Sequence, residues 1–337
     1  MTLLVTGGAG FIGANFIRHR RRRAPTERLV VLDALTYAGN MASLAGLDFD
    51  FVHADICDAD LVGRTLAEFS IDAIVHFAAE SHVDRSILGP LAFVQTNAVG
   101  TATLLEAARR AGVKRFVQVS TDEVYGDLGP ADPPFSERSP IQPRSPYAAT
   151  KAAADLLALA YFETYRFPVL VTRCSNNYGP YQFPEKLIPL MLLNALSDTP
   201  LPIYGDGLNV RDWIHVEDHC AAVSLVLDRG REGHVYNIGG QSERTNLEVV
   251  QAILAAVGKP ESLLQRVADR LGHDRRYAID NGKIEHELGW VRTHTFEAGL
   301  AATIEWYRAN EPWWTAIRSG AYQAWYAQNY THREGAP

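Results

Sequence analysis

Short apolar runs recur through the first half of the chain, and stretches with helical spacing separate them. Leu3-Leu4-Val5-Thr6 precedes a helical stretch from Ala14 to Arg20, and Arg28 to Leu32 is the second run. Asp50 to His53 precedes a helix over 59–69, Ala73 to Phe77 precedes one over 93–111, and Arg115 to Val119 and Pro168 to Cys174 follow. Runs that are apolar on both faces are what strands buried in a parallel sheet require, with the intervening helices covering the two sides. The pattern predicts an α/β fold, a Rossmann-type doubly wound parallel sheet. Beyond Asn177 glycine and proline break the rhythm, at Pro184 to Pro189 and Leu201 to Gly207. Residues 1–177 are therefore expected to form the dinucleotide-binding domain, with later segments returning to it, and 178–337 mainly a smaller C-terminal α/β substrate lobe. With no linker, repeat or low-complexity tract, the two lobes are expected to interleave.

A chain of 337 residues buries a large core. Its net charge of −7 and pI near 5.9 leave no footprint for nucleic acid, and no apolar run approaches a membrane span. The N-terminus enters a strand without a signal-peptide layout, so the cytoplasm is the expected compartment. Cys57, Cys174 and Cys220 are far apart and outside any C-x-x-C, which predicts reduced thiols and no zinc site; His82 likewise has no second ligand at a suitable spacing. The basic run Arg18 with Arg20 to Arg23 falls where cations complement a helix C-terminus. Trp306, Trp313-Trp314 and Trp325-Tyr326 are read as the packing of a terminal helix.

Strand ends carry the candidate chemistry. The first run opens into Gly7-Gly8-Ala9-Gly10-Phe11-Ile12-Gly13, a tight turn whose glycines let a helix N-terminus meet a pyrophosphate. The second run ends at Asp33, about twenty residues on, where an acid accepts from an adenosine ribose 2′-OH. Ala34-Leu35-Thr36-Tyr37 contains no arginine to meet a 2′-phosphate, so NAD is favoured over NADP. Asp55-Ile56 is placed at the adenine edge, or else Asp55 is loop ahead of an Asp58 helix cap. Ala78 and Ala79 are small where backbone must pass close to a cofactor. Asn97 is expected to hold active-site backbone or cofactor, or else to face solvent; Ser81 is expected to touch substrate.

The fifth run delivers Ser120-Thr121-Asp122-Glu123-Val124-Tyr125-Gly126 into the crevice at the strand ends. Ser145-Pro146 reads as a helix cap and first turn, which puts Tyr147 and Lys151 one turn apart on one face. An ammonium beside a phenol favours the phenolate, a base near neutral pH. Asn176 and Asn177, at the end of the sixth run, are suited to cofactor and phosphate. Arginines in Arg211 to Asp218 and Gly272 to Tyr277 suit a diphosphate.

Assembled, Gly7 to Gly13, Ala79 to Ser86, Ser120 to Gly126, Asn176 to Pro189, Arg211 to Asp218 and Gly272 to Asp280 resemble the nucleotide-sugar 4,6-dehydratases of the extended short-chain dehydrogenase/reductase family. The resemblance covers nearly the whole chain, and the Asp122-Glu123 pair is its specific part. It implies an NAD-dependent lyase acting on dTDP-glucose, with Gly7, Gly10, Phe11, Ile12, Gly13, Asp33, Asp55, Ile56, Ala78, Ala79, Asn97, Tyr147, Lys151 and Asn177 at the cofactor. It implies Ser81, Thr121, Asn176, Lys186, Leu187, Pro202, Tyr204, Arg211, Asn246, His273, Arg275 or Arg276, and Tyr277 at the nucleotide-sugar. The implied reaction oxidises C4 through Tyr147, which makes the C5 proton acidic; Glu123 removes it, Asp122 protonates the departing C6 hydroxyl, and the hydride returns to C6. A GDP- or CDP-sugar dehydratase, a nucleotide-sugar 4-epimerase and a non-catalytic NAD-sensing module are the rival readings. A homodimer is expected from the Ala- and Leu-rich outer faces of the 93–111 and 147–165 helices.

Overall fold

The structure, a computed structural model, describes residues 1–318. Strands β1 (Thr2–Thr6), β2 (Arg28–Asp33), β3 (Asp50–His53), β4 (Ala73–His76), β5 (Arg115–Thr121) and β6 (Val169–Cys174) are the six apolar runs. After them come β7 (Asn176–Tyr178), β8 (Leu201–Tyr204), β9 (Val210–His215), β10 (Val235–Ile238), β11 (Glu243–Thr245) and β12 (Leu264–Val267). The main sheet has seven strands in the order β10-β6-β5-β4-β1-β2-β3, and every neighbouring pair is parallel.

Alternation along each strand explains why the runs are apolar throughout. Leu3 and Val5 point into one core with Phe16 and Ile17 of the Phe11–Arg23 helix and Val223 and Leu227 of the Val216–Arg229 helix. Leu4 points into the opposite core with Leu104 and Leu105 of the Thr101–Arg110 helix. Each such side chain is fully buried, and each contributes about 1.5–3 kcal/mol relative to exposure. The return of β10 to the sheet beside β6 brings a segment from beyond residue 177 into the sheet that the first 174 residues build.

The smaller lobe holds the sheets β11-β9-β7 and β12-β8 and a third core. Trp306, Trp313 and Trp314 pack against that core, as the aromatic C-terminal pattern predicts; Trp325 and Tyr326 lie outside the described residues. The basic run does end its helix, but Arg20 is buried and forks onto Glu27 at 2.7 Å and Asp228 at 2.9 Å. That pairing fastens the first helix to the Val216–Arg229 helix, a tertiary role the dipole reading did not anticipate.

One helix differs from expectation. The 93–111 stretch is an α-turn at Pro90–Phe93, a π-helical segment at Val94–Gly100 and an α-helix at Thr101–Arg110. The wider turns coincide with Asn97, whose side chain is buried, and with Gly100, where a Cβ would lie 2.7 Å from Ile56. No helix of the described residues is long and apolar enough to cross a membrane.

Candidate active site

A cavity of about 360 Å³ opens at the C-terminal ends of the central strands. Its cofactor end is set by the glycine turn. Gly7 has φ +68°, and a Cβ there would meet the Ala78 backbone nitrogen at 2.5 Å; at Gly13 one would sit 2.3 Å from the Gly7 carbonyl. Both positions therefore exclude side chains, and the turn lies flat against the β4 end. Asp33 lines the cavity beside it, accepting from the Ala9 and Leu35 amides at 2.9 and 2.8 Å. Burial raises its pKa, and the two amide bonds oppose that rise. Asp55 and Ile56 also line the wall, and Asp58 caps the following helix by accepting from the Leu61 amide at 2.9 Å.

Asn97 does not reach the wall. Its Oδ1 accepts from the Glu80 amide at 2.9 Å, and its Nδ2 donates to the Glu80 carbonyl and Thr150 hydroxyl at 3.0 Å each. It holds backbone at the Ala79–Glu80 strand end, one of the two active roles expected of it.

The Asp122–Tyr125 segment is a single 3₁₀ turn capped by Thr121, whose hydroxyl accepts from the Glu123 amide at 3.2 Å. Thr121, Asp122, Glu123, Tyr147 and Lys151 all face the cavity. Ser145 caps the Pro146–Tyr165 helix as predicted, accepting from Ala148 at 3.1 Å, and this fixes Tyr147 in the first turn. The two acids differ electrically. Burial holds the Asp122 carboxyl well above the usual carboxylate range, the Glu123 and Asp212 charges add to this, and its buried Oδ2 has no hydrogen-bond partner. Burial also raises Glu123, but the Arg270, Arg211 and Lys186 cations oppose it. Of the two, Asp122 is held further toward its protonated form.

At Tyr147 burial works against the ionisation that the lysine motif implies. Burial pushes the phenol well above its ordinary range and the Glu123 carboxylate adds to the rise, against a hydrogen bond from Thr121. The Lys151 ammonium donates to the Val119 carbonyl at 2.7 Å, and burial weakens its own hold on its proton. Burial is the largest influence on the phenol, ahead of Glu123.

Of the other residues expected at the site, Gly10, Phe11, Ile12, Ala78, Ala79, Ser81, Asn176, Asn177, Lys186 and Leu187 line the cavity. Lys186 Nζ donates to the Ser81 carbonyl at 2.8 Å, so it crosses the cleft near the acid pair. The second-lobe group lies off this wall. Arg211 is buried, bonded to the Asp274 carbonyl at 2.9 Å and packed 4.4 Å from the Tyr277 ring. Tyr277 donates to Asp274, His273 meets Asp269 at 2.6 Å, and Tyr204 donates to Asp84 at 3.2 Å. Arg275 pairs with Asp206 at 3.0 Å and Arg276 with Glu243 at 2.6 Å. Pro202 is a buried β8 residue, and Asn246 begins a helix.

Sequence reasoning missed Arg270, whose field reaches Glu123, Lys186, Arg211 and His273. The stretch singled out from sequence starts just past it. Also missed was the clamp in which Arg85 stacks 3.7 Å over Tyr37 while the Tyr37 hydroxyl donates to Glu185 at 3.0 Å. His215, Glu217 and His294 come within 4.8 Å of one another, but Arg22 binds Glu217 and Asp218 binds His294, so ion pairing accounts for that group.

The family profile described as GDP-mannose 4,6 dehydratase matches residues 4–303. A dTDP-glucose 4,6-dehydratase of Xanthomonas campestris pv. campestris (strain B100) is 55% identical, the alignment covering 96% of this chain and 97% of that protein. One from Salmonella typhimurium is 49% identical over 99% of this chain and all of its own length. Among solved structures, DesIV of Streptomyces venezuelae, a dTDP-glucose 4,6-dehydratase with NAD bound, superposes with a TM-score of 0.91 at 54% identity, covering 94% of this chain and 100% of that one.

Proposed function

Because the chain belongs to the dTDP-glucose 4,6-dehydratase family, we propose that it converts dTDP-glucose to dTDP-4-keto-6-deoxyglucose and water. The observation that carries this reading is the convergence of Tyr147, Asp122 and Glu123 on the cavity whose other end is the glycine turn and Asp33. An epimerase has no use for a protonated acid beside an ionisable one.

The residues fit NAD. Gly7 and Gly13 leave room for a pyrophosphate, Asp33 offers carboxylate lone pairs to a ribose, and the Asn177 Oδ1 is a buried acceptor with no hydrogen-bond partner. When bound, NAD supplies a reversible hydride acceptor. Tyr147 takes the proton of the sugar 4-OH, and a ketone at C4 makes the C5 hydrogen acidic. Glu123 removes that proton, Asp122 donates its own to the C6 hydroxyl as water departs, and Glu123 gives its proton back to C5 as the hydride held from C4 is returned to C6, which completes the 6-deoxy product. Thr121 orients the Tyr147 hydroxyl, and Lys186, Arg211 and Arg270 keep Glu123 ionisable. Asn176, Lys186 and Leu187 are assigned to the nucleotide-sugar, with Arg211, Asn246 and the 273–277 segment as outer contacts.

A homodimer and a cytoplasmic location belong to the same proposal. Leu88, Leu91, Val94, Val99 and Leu156 are exposed on the neighbouring helices of residues 83–110 and 146–165, an apolar surface that a twofold copy would cover. Three free cysteines suit a reducing compartment. Incubation with dTDP-, UDP-, CDP- and GDP-glucose, followed by the alkali-dependent absorbance of a 4-ketone, tests the reading. Product from dTDP-glucose alone is expected. Preference for another nucleotide corrects the substrate, and absence of product from all four rejects the enzyme.

A further inference from the structure

Tyr147, Lys151 and Asp155 recur every fourth residue on one face of the Pro146–Tyr165 helix, and all three side chains are buried. The first two belong to the redox site. Asp155, at 0% exposure, belongs to a second layer behind it. Its Oδ2 accepts from Arg173 Nε at 2.9 Å, and Arg173 is itself only 3% exposed. Arg173 continues to the Tyr125 hydroxyl at 3.0 Å, and that hydroxyl donates to Asn237 Oδ1 at 2.8 Å. Tyr125 closes the turn that begins with Asp122 and Glu123. A chain of polar contacts therefore runs from the helix of Tyr147 and Lys151 to the turn of the acid pair. Burial raises the pKa of this carboxylate, while the Arg173 and Lys151 cations and a hydrogen bond from Ser120 oppose the rise and favour its charged form.

Resting on the redox role given above to Tyr147 and Lys151, we propose that Asp155 is a positioning residue for that pair: a buried counter-charge that keeps Lys151 protonated and, through Arg173 and Tyr125, locks the oxidising helix to the eliminating turn. If the carboxylate is neutralised, two buried cations lose the anion that both of them feel. Arginine does not yield its proton, so Lys151 does. A neutral amine no longer favours the Tyr147 phenolate, and the phenol then ionises only at higher pH.

The test compares the full-length wild type with Asp155→Asn and Asp155→Glu. Tyr147 ionisation is read as the ultraviolet phenolate absorbance that Tyr147→Phe removes, beside the pH profile of kcat/KM with dTDP-glucose. In folded Asp155→Asn the Tyr147 titration and the ascending limb of the profile should both move to higher pH. Its kcat near neutrality should fall by roughly a hundredfold, the low end of what a positioned base contributes, with KM little changed. Asp155→Glu, which keeps the charge, should retain the wild-type limb even if its melting temperature drops. A folded Asp155→Asn with the wild-type titration, or a folded Asp155→Glu with a displaced one, overturns the proposal; the glutamate arm decides it if the asparagine protein does not fold. An inactive wild type counts against the dehydratase reading alone, because the phenolate titration needs no turnover.

Discussion

Replacing Glu123 by glutamine should pull apart two steps that the intact site runs in succession. The carboxylate has two influences in the structure: it is half-buried amid Arg270, Arg211 and Lys186, which keep it ionisable, and after burial it is the main influence raising the Tyr147 phenol. Glutamine keeps the shape and removes both effects. As a base Glu123 is worth roughly 10²–10⁴-fold, or about 3–5 kcal/mol of barrier at 1.36 kcal/mol per decade, and exchange of the sugar C5 proton should slow by that amount. Tyr147 responds with the opposite sign. Without a neighbouring negative charge the phenolate becomes easier to form, so the pH at which oxidation switches on should move down, not up. The assay follows single turnovers of dTDP-glucose over a pH series, recording reduced-nicotinamide absorbance for oxidation and solvent deuterium at C5 for proton removal. Oxidation should survive, with its ascending limb at lower pH, while deuterium incorporation nearly vanishes. Deuterium exchange at the wild-type rate would take the base role from Glu123. An oxidation limb displaced to higher pH would refute the electrostatic coupling to Tyr147.

Asp122→Asn should permit oxidation and C5 exchange but slow loss of the C6 hydroxyl by roughly a hundredfold or more, the scale of a positioned general acid; quenched-flow analysis of the 6-hydroxy ketone would show it accumulate. Asp33→Ala should narrow the preference for NAD over NADP in direct binding titrations, and a wild type that holds both equally would end the ribose assignment. Gly13→Ala puts a methyl 2.3 Å from the Gly7 carbonyl, so it should abolish measurable NAD binding or lower the melting temperature; a neutral outcome would mean the turn can open. Light scattering at micromolar concentration should give twice the chain mass, and Leu91→Lys, at an 80% exposed position, should reduce it to one.

Most of the sheet was legible because β1, β2, β4, β5 and β6 are buried on two sides, which leaves apolar runs; the edge strand β3 is only half-buried, and β10 was not read as a strand. The strand-end chemistry was legible for a related reason: Asp33, Thr121 to Glu123 and Asn176-Asn177 interrupt those runs abruptly. Lys186 and Leu187 also reach the cavity. Side-chain direction in the second lobe was not legible. Arg270, Arg275 and Arg276 lie in one short segment, and which of them points at the acid pair depends on where Asp206 and Glu243 capture the other two. Nor does local spacing distinguish an α-turn from the π-segment that holds Asn97, since the choice is made by what Asn97 meets at Glu80 and Thr150. The motif that names Tyr147 and Lys151 says nothing about how dry their wall is, and burial is the largest influence on the phenol.

The place of β10 has a consequence during synthesis on the ribosome. When Cys174 leaves the exit tunnel, β6 is the outermost strand of a nascent sheet, with one row of backbone groups unpaired, and its partner Val235–Ile238 has not been made. At roughly 5–20 residues per second the intervening chain takes several seconds to appear, long enough for that bare edge to recruit another strand. The delay also withholds Asn237, the acceptor for Tyr125, so the acid-pair turn lacks its final anchor over the same interval. A nascent chain stalled after residue 177 should therefore be retained by chaperones and sensitive to protease, and one stalled well past residue 238 should be neither.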